Sequence, residues 1–85
     1  MKKITIYSSL ICPYCTAAKK ILINEGLNFN EIIIDGKPDL REEMIKRAHG
    51  KYTVPQIFFD DESIGGYDQL SILKKKQSIK SLVED

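Results

Sequence analysis

The chain has 85 residues, a net charge of +1, 42% hydrophobic residues and 29% charged residues. That size predicts one soluble domain, residues 1–85, with a modest core, and the charge offers no basic excess to recruit nucleic acid. No apolar run approaches the roughly 18 residues that a membrane helix needs, and "MKKITIYSS" lacks the apolar stretch of a signal peptide, so a reducing cytoplasm and no membrane partner are expected.

Lys3 to Tyr7 alternates polar and apolar, with Ile4 and Ile6 on one side, which predicts a strand. Pro13 suits the first turn of a helix, where no backbone donor is needed. Cys15, Ala18, Ile21 and Leu22 then recur at helical spacing, and Gly26 ends the helix. Phe29 to Ile34, "FNEIII", predicts a second strand, continuous enough to be buried on both faces. Pro38 opens a second helix with Leu40, Met44, Ile45 and Ala48 as its apolar face, closing near Gly50. Val54 to Asp60 predicts a third strand, Asp60 to Glu62 a tight turn, and Ser63 to Gly65 a short fourth strand. A third helix runs from about Tyr67 to the lysines at 74 to 76, and Ile79, Leu82 and Val83 suggest one further turn or two. Strands joined through a helix lie parallel by a right-handed crossover, and strands joined by a tight turn form an antiparallel hairpin. The order β-α-β-α-β-β-α therefore predicts an α/β fold, a four-stranded mixed sheet with helices on its faces.

The only cysteines, Cys12 and Cys15, lie in "SSLICPYCTAAKK". A structural disulfide, half of a metal site and a reversible redox pair compete to explain them. A reducing compartment argues against a structural bond, and so short a loop removes little entropy from the unfolded chain. A closed zinc site needs four ligands. The chain adds only His49, which sits after the second helix where it caps that helix or faces solvent, so no metal is expected. The redox reading has a physical basis. Cys12 falls at the start of a helix, where unpaired N–H groups and the macrodipole stabilise a thiolate, moving its pKa from about 8.5 toward about 6.5. Cys15, one turn in on the apolar face, stays a thiol. Residues three apart on a regular helix hold their Cβ atoms roughly 5–6 Å apart, whereas a disulfide wants roughly 3.5–4.5 Å. The bond closes only if Cys12 lies at the non-helical edge.

Three motifs in order, "CPYC", "TVPQIF" (Thr53 to Phe58) and "IGGYDQL" (Ile64 to Leu70), resemble the small bacterial glutaredoxins of the dithiol type. The resemblance covers nearly the whole chain and implies a thioredoxin-like fold. It implies that Cys12 is the nucleophile and Cys15 the resolving thiol of a glutathione-dependent disulfide oxidoreductase. It implies that Tyr14 shapes a glutathione groove and that Pro55 is cis. Thr53, Val54 and Pro55 then meet the backbone of glutathione as a short strand addition. Gly66, Tyr67 and Asp68 take its γ-glutamyl end, the helix start favouring the carboxylate and Asp68 the ammonium. Glutathione is thus reductant and co-substrate, with no tightly bound cofactor. The implied partners are glutathione, glutathionylated proteins and protein disulfides, ribonucleotide reductase among them, and the implied state is a monomer. Taken singly, each position has a plainer explanation: an exposed helix-start tyrosine, an edge-strand proline, a turn at Gly65-Gly66, an acid complementing a helix dipole.

One departure stands out. Many glutaredoxins carry a lysine three residues before the nucleophile, where it holds the glycine carboxylate of glutathione. Here that residue is Ser9, followed by Leu10 and Ile11, so the approach to Cys12 is apolar. Lys51 and Arg41 are the candidates to supply the charge. Weaker glutathione binding, or a larger role for protein substrates, is expected. Two other redox roles compete: a redoxin reduced by a flavoprotein and serving ribonucleotide reductase, and an iron–sulfur carrier using one cysteine per subunit. Tyr14, Tyr67 and Asp68 favour glutathione over the first, and "CPYC" with Cys15 resembles the dithiol enzymes more than the second. The lysines at 74 to 76 are a solvated helix end.

Overall fold

Five consecutive buried residues, Ile4–Ser8, form β1. The computed structural model describes residues 1–84; residue 85, the end of the expected domain, lies outside them. After β1 come α1 (Pro13–Asn24), β2 (Asn30–Ile33), α2 (Pro38–Arg47), β3 (Gln56–Phe59), β4 (Glu62–Gly65), α3 (Tyr67–Lys76) and a short α4 (Ile79–Val83). The strands make one mixed sheet in the order β2-β1-β3-β4. β1 lies parallel to β2 across the α1 crossover and antiparallel to β3, and β3 and β4 form the expected hairpin.

Side chains alternate across the sheet and build two cores. Ile4, Ile6, Ile57 and Phe59 face α1, α3 and α4, where Ala18, Leu22, Leu70, Ile79 and Val83 are buried. Tyr7 and Phe58 face the opposite way, onto Met44 of α2 and Ala48, the residue that caps it. The expected sheet with helices on both faces is therefore present. The α4 turn is tied down by the Lys2 N–H, which donates to the Val83 carbonyl at 2.7 Å, and by the Ser78 hydroxyl, which donates to Glu25 at 3.0 Å.

Two expectations need correction. β2 is not buried on both faces. It is an edge strand, with Asn30 and Glu31 exposed and Ile32 and Ile33 half-buried. An apolar run reports burial, but which strand lies at the edge is set by pairing elsewhere in the chain. β3 begins at Gln56, two residues later than Val54, because Pro55 has no N–H to give to a ladder. The Val54–Pro55 peptide is cis, as the resemblance implied.

The α2 face carries a polar clasp. The Tyr7 hydroxyl donates to Glu43 at 2.6 Å and accepts from the Arg47 guanidinium at 2.7 Å. The same guanidinium stacks 4.4 Å from the Phe58 ring centroid. Burial raises the Tyr7 pKa, and donation to Glu43 raises it further. Arg47→Ala is expected to cost about 2–4 kcal/mol, the sum of a cation–π contact of about 0.5–1 kcal/mol and a charged hydrogen bond of about 1.5–3 kcal/mol. Urea unfolding should show a lower midpoint with an unchanged slope.

Candidate active site

Three segments reach the same end of the sheet. β1 ends at Ser8 and leads through Ser9–Ile11 to Cys12. Because β3 runs antiparallel to β1, with Tyr7 opposite Gln56, it begins at that end. β4 pairs Gly65 with Ile57 across a register shift and finishes there too, where Gly66 caps α3. The pairing thus brings together residues 12, 54 and 66, far apart in the sequence.

Cys12 is the N-cap of α1, with extended backbone at φ −150° and ψ 101°. Its carbonyl accepts the first helical bond, from the Thr16 N–H at 3.1 Å. Its Sγ accepts from the Cys15 N–H at 3.1 Å, so a helix-start donor points at the sulfur. Cys12 and Cys15 are joined as a disulfide, Cα atoms 5.2 Å apart. The non-helical edge at Cys12 lets a spacing of three close the bond, as geometry required. Cys15 is 1% exposed while Cys12 is half-buried, which separates a reachable sulfur from an enclosed one.

Beside the pair lies a groove of about 480 Å³, within the size range of small-ligand sites. It is lined by Tyr14, Lys51, Thr53, Val54, Pro55, Gly66, Tyr67 and Asp68, all singled out from the sequence. The Val54 carbonyl is 4.0 Å from the Cys12 sulfur. The Tyr14 and Tyr67 rings face one another at 5.8 Å between centroids. Arg41 is not among the lining residues; it donates to the Tyr52 carbonyl at 3.2 Å. Gly65 has φ +111°, and a Cβ there would sit 2.9 Å from the Gln69 side chain, so the turn into α3 needs glycine.

The groove also contains two glutamines that sequence reasoning missed. Gln69 accepts from the Gly66 N–H at 2.8 Å and fixes the start of α3. Its place three residues after the cap was a readable signal. Gln56, buried under the groove, donates to the Thr53 carbonyl at 2.9 Å and holds the loop to the strand. Nothing in its spacing signalled that role. A third missed feature lies on the other side of Cys12. The Ser9 hydroxyl and the Leu10 N–H both donate to the Asp35 carboxylate, the latter at 2.9 Å. Ser9 thus closes a clamp.

With this geometry established, comparison with known proteins is decisive. The glutaredoxin family model matches residues 4–64. Glutaredoxin 3 of Escherichia coli is 45% identical over 84 residues, covering 99% of this chain and 100% of its own. The chain belongs to the glutaredoxin family. The solution structure of a glutaredoxin from Brucella melitensis, 41% identical, superposes with a TM-score of 0.83 over 98% of this chain and 89% of that one. A dithiolic glutaredoxin from Trypanosoma brucei brucei, 30% identical, superposes with a TM-score of 0.84 over 98% and 88%. The fold is therefore thioredoxin-like, and the protein is a thiol–disulfide oxidoreductase of the glutathione-dependent kind.

Two outcomes follow from the local geometry. In the reduced protein, Cys12 should be alkylated by iodoacetamide at neutral pH at least about tenfold faster than Cys15, because it is the more exposed and has the helix-start donor; peptide mapping reads this directly. The Ser9 and Leu10 donors hold the Asp35 carboxyl below the ordinary aspartate value of 3.8. A depressed carboxyl stabilises the fold above its unfolded value and loses that contribution as pH falls through its folded value. The clamp should therefore persist above pH 3.8 and open below it. The Leu10 amide signal should shift with a midpoint under that value, and should not titrate in Asp35→Asn.

Proposed function

We propose that the protein reduces glutathione mixed disulfides through Cys12 and protein disulfides through the Cys12–Cys15 couple. In the first reaction the Cys12 thiolate attacks the glutathione sulfur of a mixed disulfide. The substrate sulfur leaves as a thiolate and takes a proton from solvent. A second glutathione thiolate then attacks the glutathione sulfur now bonded to Cys12, regenerating the thiolate and releasing glutathione disulfide. In the second, Cys12 forms a mixed disulfide with the protein, and Cys15 displaces it to leave the Cys12–Cys15 bond. Two glutathione molecules reopen that bond. The disulfide of ribonucleotide reductase is one candidate substrate.

The observation that carries this reading is a groove of small-ligand size ending 4.0 Å from the nucleophilic sulfur at the Val54 carbonyl. Its lining offers partners for each part of glutathione. Backbone at Thr53, Val54 and Pro55 suits a peptide laid as an added strand. The α3 start at Gly66 and Tyr67 suits a carboxylate, Asp68 an ammonium, and Lys51 the glycine carboxylate. Tyr14 and Tyr67 suit the apolar stem. Arg41, committed to Tyr52, is the weakest of the proposed contacts. Both cysteines and the whole groove come from one chain, so a monomer suffices. A cycle that reopens its own disulfide suits the reducing cytoplasm.

The test is turnover of a glutathionylated peptide with glutathione and glutathione reductase. Wild type and Cys15→Ser should both be active, and Cys12→Ser should fall to background. Asp68→Asn should raise KM by up to about fivefold, the reach of an exposed ion pair. An inactive but folded wild type would overturn the reading and favour reduction by a flavoprotein.

A further inference from the structure

Gln56 opens β3 opposite Tyr7 and is 1% exposed. Side chains two apart share a face of a strand, so it lies on the side of Phe58, toward α2. Its amide is only half used. Nε2 donates to the Thr53 carbonyl at 2.9 Å and lies 3.4 Å from the Thr53 hydroxyl, while Oε1 is buried with no partner among the described residues. A carbonyl can only accept, so the bond to Thr53 fixes which way the amide is turned. An unpaired buried acceptor is unfavourable, and a thioether or alkyl chain would fill the same space without one. Core stability therefore does not account for the amide. What it adds is one donor, aimed at one carbonyl.

That carbonyl belongs to the peptide joining Thr53 to Val54. Among the described residues the one cis bond is the next, Val54–Pro55, so this peptide is trans. A trans peptide is planar, and its C=O and N–H point in opposite directions. Pinning the Thr53 oxygen onto the buried Gln56 therefore turns the Val54 N–H outward, toward the groove that both residues line. Among the described residues that N–H has no partner. Pro55 has no N–H, so Val54 carries the last free donor before the ladder begins. We propose that Gln56 is a positioning residue for substrate binding: it sets the Thr53–Val54 peptide plane and so presents the Val54 N–H to a backbone carbonyl of the glutathione moiety. This rests on the groove holding glutathione. Donation into the Thr53 oxygen also polarises the peptide, which strengthens its N–H as a donor. Gln56 acts only through Val54.

The test compares wild type with Gln56→Met, which keeps the length of the side chain and removes the donor. One readout is turnover of a glutathionylated peptide with glutathione and glutathione reductase. The other is alkylation of reduced Cys12 by iodoacetamide, which offers no peptide backbone to the groove. An ordinary hydrogen bond is worth about fivefold, so KM should rise about fivefold in Gln56→Met while kcat stays within about twofold. Dividing kcat/KM by the same protein's alkylation rate cancels any loss of folded protein or of Cys12 reactivity, and this ratio should still fall about fivefold. A ratio equal to that of wild type overturns the proposal, as does a loss carried by kcat. A second measurement needs no change at Gln56. In Cys15→Ser, glutathione bonded to Cys12 should slow hydrogen exchange at the Val54 amide by at least about fivefold relative to the reduced form. Equal exchange in the two forms overturns the proposal. A folded wild type that does not turn over the peptide overturns the glutathione reading itself, and the role of Gln56 with it.

Discussion

The register of β1 between its two neighbours is the constraint on which the site depends. All five residues of the strand are buried, and its side chains feed both cores. A slip by one residue would exchange Ile4 and Ile6 with Thr5 and Tyr7, putting a tyrosine into the α1 core and isoleucines against the polar clasp of Arg47. The cores thus fix where β1 ends, and where it ends fixes Cys12. The same register sets Gln56 opposite Tyr7 and so delivers Val54 to the sulfur. Burial far from the chemistry decides a distance at the chemistry.

Helix start and sheet end then divide the labour. The N-cap position gives Cys12 an extended backbone and an N–H aimed at its sulfur, while the next turn encloses Cys15. One helix terminus therefore makes two chemically unlike thiols out of residues three apart. A nucleophile must be reachable, and a resolving thiol must wait until a mixed disulfide forms. Exposure of Cys12 and burial of Cys15 suit these two proposed roles.

Much of this was legible in the sequence, for reasons that differ from element to element. Local rules placed β1, α1 and α3, because alternation, Pro13 at a helix start and Gly65-Gly66 at a strand end act within a few residues. The cysteine spacing needed only helix geometry. The groove needed the family resemblance, since Tyr14, Thr53 and Tyr67 have no local reason to converge. What stayed hidden was long-range pairing. The exposure of β2 depends on its being outside β1. The clamp of Asp35 on Ser9 and Leu10 joins residues 25 and 26 apart in sequence. Arg47 meets Tyr7 across 40 positions. No pattern of composition announces such partners.

Ser9 shows how one such hidden contact changes the meaning of a legible departure. Read along the chain, it is a missing lysine and a weaker hold on glutathione. In the fold its hydroxyl instead serves Asp35, and the segment it begins carries apolar side chains where a cation would favour a carboxylate. Lys51, on the groove wall, puts a positive charge on the groove from another direction. The two sides of Cys12 thus differ in kind: one offers backbone, aromatic rings and charges of both signs, the other the exposed Leu10 and Ile11 on a segment held by the Asp35 carboxylate.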